Sequence, residues 1–193
     1  MIRQKIESFL ESLPLGALLR KLVDIVLWVA AGILLFAGLF YIIDLIMSLP
    51  GAKHPAIVLG TFLAVLIACA GISLALLILY YRTREIANFQ SPSYPVIYLG
   101  TQLLRLAGEI LAVFHLVTGL SAGIMFWFGS YPRLPYFDSL MWRILNFASF
   151  PPFLSGLFTI LACIFQAVLT LVASYFLAEF FMLIRDIGQK SRR

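Results

Sequence analysis

An all-α integral membrane fold of four transmembrane helices is what this sequence predicts, and three observations predict it. The 193 residues are 62% hydrophobic and only 12% charged, against about 45–50% and about 25% in soluble domains. The mean hydropathy is +1.01. Four stretches reach the roughly 20 apolar residues that a membrane helix needs. The sequence pI near 9.4 raises nucleic-acid binding as a possibility, but the basic residues cluster at segment ends and not on one soluble face. Topology explains them, and no nucleic-acid partner is expected.

The elements follow in order. In MIRQKIESFLESL the apolar residues Ile2, Ile6, Phe9, Leu10 and Leu13 keep helical spacing. Residues 1–20 therefore read as an amphipathic helix on the cytoplasmic membrane surface. The first span has an uncharged core from Ile25 to Ile43, and the second runs from Ala56 to Tyr81. The third has its core from Ile110 to Phe128, broken by His115, with residues 96–104 expected at the surface. The fourth runs from Phe153 to Ala178 and on towards Ile184. Seven prolines fall between spans, where a broken helix costs little. The outer loop 129–152 is rich in aromatics, and Asp138 is placed to cap a short helix lying at the membrane surface. The first apolar run begins too late and runs too long for a cleavable signal, so none is expected.

Orientation comes from Lys and Arg. Ten of them, among them Arg20, Arg82, Arg84 and Arg185, lie at the N-terminus, the middle connection and the C-terminus; Lys53, Arg133 and Arg143 lie on the opposite side. Both termini are thus expected in the cytoplasm, in a bacterial inner membrane.

The chain also reads as a duplication. LLRKLVDI at 18–25 aligns with LLRLAGEI at 103–110, matching Arg20 to Arg105 and Asp24 to Glu109 at an offset of 85. Gly38 matches Gly123 at the same offset, and RTREIANF at 82–89 aligns with LIRDIGQK at 183–190. Two tandem helix hairpins, 21–89 and 96–188, are the predicted organisation of one membrane domain. The pattern is an Arg opening the first helix, then small residues, then a long second helix closing in acidic and Arg residues, as in LAEFFMLIRDIG at 177–188. It resembles an uncharacterised bacterial family of small two-helix membrane domains, here in tandem. The first hairpin departs from it, with Ile78 where Glu179 would stand. The resemblance implies a fold and no activity.

Charge inside a span calls for an explanation, since burying an unpaired ionisable group costs at least about 2.5–3.5 kcal/mol. Asp24, Arg105, Glu109 and Glu179 are expected in one charged layer near the inner leaflet, with an i, i+4 contact open between Arg105 and Glu109. That layer serves to fix helix register, to bind a proton or cation, or to meet a partner subunit. His115, two turns deeper, is a hydrogen-bonding residue or an axial ligand for haem or a pigment. No metal site is expected, and Cys69 and Cys163 read as inert. Small residues mark packing faces: Gly60, Ala64, Ala68 and Gly71 on the second span, Gly119 and Gly123 on the third, and Ala31, Gly32, Ala37 and Gly38 on the first.

No GxSxG, HExxH, P-loop or CxxC pattern occurs, so an enzyme is not expected. The expected function is that of an accessory, scaffold or assembly subunit of a larger membrane complex, contacting lipids and other membrane subunits or copies of itself. The alternative is a small oligomeric transporter or channel using the carboxylate layer.

Overall fold

The computed structural model describes residues 15–47, 54–87, 95–130 and 150–190. They form four long helices: α1 Leu15–Met47, α2 Pro55–Ala87, α3 Pro95–Trp127 and α4 Pro152–Lys190. Each contains a stretch long and apolar enough to cross a membrane. The amphipathic segment expected before Leu15 and the surface helix expected around Asp138 lie outside the described residues.

Local sequence sets the helix ends. Three helices start on a proline, at Pro55, Pro95 and Pro152. Proline suits the first helical position because its missing N–H would have no partner there and its φ is already helical. α3 stops at a glycine. Gly129 has φ +80°, its N–H donates to the Phe126 carbonyl, and the next N–H, of Ser130, reaches back to Met125 at 2.9 Å. This left-handed cap satisfies two carbonyls that the helix end would leave open.

The helices run beyond their apolar cores. α1 is continuous from Leu15 through the boundary expected near residue 20, and α3 begins at Pro95, 15 residues before its apolar core at Ile110. Backbone hydrogen bonding does not stop where hydropathy falls, and after Pro95 no further proline stands before Ile110.

The helices alternate in direction and pack mainly against their neighbours in the chain, α1 on α2, α2 on α3 and α3 on α4, with the α3/α4 seam the most extensive. Of the most apolar stretch of each helix, 56% is buried in α3 but only 6% in α1. α3 is therefore the centre of the array and α1 its loosest member. One apolar cluster, of Leu27, Leu79, Ile86, Leu99 and Leu106, joins α1, α2 and α3 at the end where α3 begins. A second, of Leu45, Ala64, Ala68 and Met125, joins the same helices at the other end.

The small residues are where the backbones approach. Gly60, Ala64, Ala68 and Gly71 are all buried. A methyl group on Gly60 would strike Phe128, and one on Gly71 would strike Val117, so this stripe of α2 receives α3. Ser121 ties the same interface by donating to the Ala64 carbonyl at 3.3 Å. Gly119 and Gly123 serve the opposite side of α3: a methyl on Gly119 would strike Cys163, and one on Gly123 would come within 2.9 Å of the Gly156 carbonyl of α4. Among the small residues of α1, Ala31 and Gly38 face α2, whereas Gly32 and Ala37 are exposed. A helix apolar on all sides does not reveal its rotation by composition.

Candidate functional site: a charged clamp on three helices

At the end where α3 begins, one polar cluster is built from α2, α3 and α4. Glu109 projects from α3 and accepts from Arg82 of α2 through both carboxylate oxygens: Nε reaches Oε2 at 3.1 Å, and Nη2 reaches Oε1. The side chains are 20% and 15% exposed. Tyr175 of α4 closes the triangle. Its hydroxyl donates to Glu109 Oε1 and accepts from Arg82 Nη2 at 3.0 Å. Arg82 Nη1 also donates to Glu85 Oε2 at 2.6 Å, one turn on along α2. The planar guanidinium makes this possible, since its fork matches a carboxylate with two parallel bonds and leaves nitrogens for further acceptors.

Arg105 completes the cluster differently. Its guanidinium carbon lies over the Tyr175 ring, 5.3 Å from the centroid, within cation–π range. The i, i+4 contact expected between Arg105 and Glu109 gives way to the bond from α2, because Arg82 offers Glu109 the bidentate geometry. Arg105 Nε and the Oε1 of Gln102 are both buried with no hydrogen-bond partner among the described residues.

The expected charged layer is thus brought together in part. Arg105 and Glu109 share the cluster, whereas Asp24 of α1 and Glu179 of α4 are exposed, and no hydrogen bond or ion pair joins either to it among the described residues. Arg82 and Tyr175 are the members that the sequence did not single out. Arg82 reads as one more charge at a helix end, and Tyr175 as one of many aromatics.

The remaining candidates lie apart. His115 is buried in mid-α3 at 4% exposure, next to the Phe114 ring, and its backbone carbonyl accepts from Thr118 Oγ1 at 3.2 Å. Cys163 is buried under Gly119, and Cys69 is exposed. Among the described residues, no group of three or more His, Cys, Asp or Glu is placed to hold a metal ion. At the far end of the seam, Trp127 stacks on Phe153 and donates to its carbonyl at 3.1 Å.

Chemically, the cluster is a closed set of charge-assisted hydrogen bonds. It pairs a carboxylate with a guanidinium and ties three helices at one level. Fold and cluster together define an all-helical chain of four membrane-length apolar helices, three of which a polar clamp joins at one end. No protein-family model matches the chain, and no curated protein or solved structure matches it.

Proposed function

We propose that this chain is a non-catalytic integral membrane protein that acts as an accessory, scaffold or assembly subunit of a larger membrane complex. The observation that carries the reading is the closure of the clamp. The carboxylate best placed to bind a transported ion, Glu109, already has Arg82 and Tyr175 as partners. Its role is to lock the register of α2, α3 and α4. The helix left over is α1, whose outward residues Trp28, Ile33, Phe36 and Phe40 are each at least 64% exposed. That face, on the least buried of the four helices, is open to other membrane helices, to a second copy or to lipid.

The basic asymmetry of the sequence supports a bacterial inner-membrane location with both termini in the cytoplasm. The tandem-hairpin reading draws support from Gly38 and Gly123, which occupy matched positions 85 residues apart. Each faces the second helix of its own hairpin, Gly38 against Ile72 and Gly123 against Ile160. His115 reads as a packing residue in this account, a reading its burial beside the Phe114 ring supports.

A photoreactive residue in place of Phe36 tests the function directly in native membranes. Adducts with another membrane protein or a second copy are expected. Adducts with lipid alone, at this position and at neighbouring outward positions of α1, would reject a scaffold role for this face.

A further inference from the structure

We infer that Arg105, set against the Tyr175 ring, is the contact of this protein for the phosphate group of an anionic membrane phospholipid. The inference rests on the membrane reading above and adds a ligand to it.

Four observations carry it. The first is charge. Glu109 is the carboxylate nearest in register to Arg105, and Arg82 takes it through both oxygens, so Arg105 has no ion pair among the described residues. The second is the unmet polar groups. Arg105 Nε is a buried donor without an acceptor, and Gln102 Oε1, on a side chain only 5% exposed, is a buried acceptor without a donor. The two residues are three apart on α3 and share a face. Buried unmet groups of this kind cost about 1–3 kcal/mol each, and they mark a place where the protein alone does not complete its bonding. Arg105 itself is only half-buried, so a ligand has access to part of it.

The third observation is depth. A span of about 20 residues counted back from the aromatic boundary residue Trp127 ends at Gly108. Arg105 lies three residues further, ~4.5 Å along the helix at 1.5 Å per residue, which is headgroup level. The fourth is pre-organisation. The aromatic ring under the guanidinium holds it in place, and a planar fork is the group that binds phosphate oxygens in pairs. The excess of basic residues puts this end in the cytoplasmic leaflet, where anionic lipids reside.

The full-length chain purified in neutral detergent tests the assignment, with native mass spectrometry counting bound lipids and melting curves as a second readout. Phosphatidylglycerol is expected to bind about fivefold tighter than phosphatidylcholine, corresponding to about 1 kcal/mol for one basic residue at an anionic surface. Arg105→Gln should abolish that preference, Arg105→Lys should retain part of it, and Arg84→Gln, in an arginine that lies over Tyr80, should leave it intact. A wild-type chain without the preference, or an Arg105→Gln chain that keeps it, overturns the site. If inorganic phosphate alone gives the whole melting shift, the ligand is a free oxyanion and the lipid assignment falls. An alkaline wash of native membranes separates the two levels. Release of the chain would overturn the membrane reading itself, whereas retention with no lipid preference overturns only the site.

Discussion

Arg82 of α2 reaches across the helix interface to Glu109 of α3, with Nε 3.1 Å from Oε2 and Nη2 on the other carboxylate oxygen. The two residues are 27 positions apart in the chain. Their pairing fixes the rotation and the axial register of both helices, because each guanidinium nitrogen has one carboxylate oxygen opposite it. Tyr175 then brings α4 to the same level.

Removing one partner should cost more than removing both. Arg82→Leu leaves Glu109 charged and largely buried without its guanidinium partner. It should destabilise the chain towards the lower end of the ~3–5 kcal/mol typical of broken buried pairs, since both groups keep some exposure. The double variant Arg82→Leu/Glu109→Leu should recover part of this loss, with a coupling of about 1–3 kcal/mol. Denaturant melts of the four proteins in detergent give the cycle. Additive effects would show that the pair does not hold the helices together.

Tyr175 has two roles that separate by substitution. Tyr175→Phe removes the hydroxyl between Arg82 and Glu109 but keeps the ring under Arg105, so a loss of about 1 kcal/mol is expected. Tyr175→Leu removes the ring as well and should add about 0.5–2 kcal/mol for the lost cation–π contact. Equal stability of the two variants would mean that the stacking contributes nothing.

Glycines that look alike in the sequence should respond in opposite ways. A methyl on Gly156 would sit 2.6 Å from the Gly123 carbonyl, against backbone that has no side chain to move, whereas one on Gly32 meets nothing within 4 Å. Gly156→Ala should therefore cost about 1–3 kcal/mol through overpacking. Gly32→Ala should stabilise by up to about 1 kcal/mol through helix propensity. Thermal melts decide between them, and a neutral Gly156→Ala would contradict the close α3/α4 crossing.

The carboxylates expected in one layer should also part company. Asp24→Asn and Glu179→Gln alter exposed groups and should change stability by no more than about 0.5 kcal/mol, while Glu109→Gln weakens the clamp. A transport activity lost in Glu179→Gln at normal protein level would favour the transporter alternative instead.

These contrasts show what the sequence made legible. The stripe Gly60, Ala64, Ala68 and Gly71 was readable because small residues at helical spacing have one physical use in an apolar helix, and the pair Gly119 and Gly123 was readable for the same reason. Which neighbour each stripe meets was not readable. α3 turns one face to α2 and another to α4, and only the packed array shows that its glycines face α4. The clamp was half legible. A carboxylate inside a span advertises that it needs a partner, so Glu109 stood out, but its partner lies on another helix and periodicity along one helix carries no such information. Gly32 was misleading because α1 is apolar on every side and nothing in its pattern fixes which face turns inward.

The most direct test of the central claim is the size of the native particle. Membranes extracted in mild detergent should yield the chain within an assembly larger than a small oligomer of itself, with other membrane proteins co-migrating and no visible absorbance band that depends on His115. A chain that runs alone as a small particle in every mild detergent would contradict the subunit role.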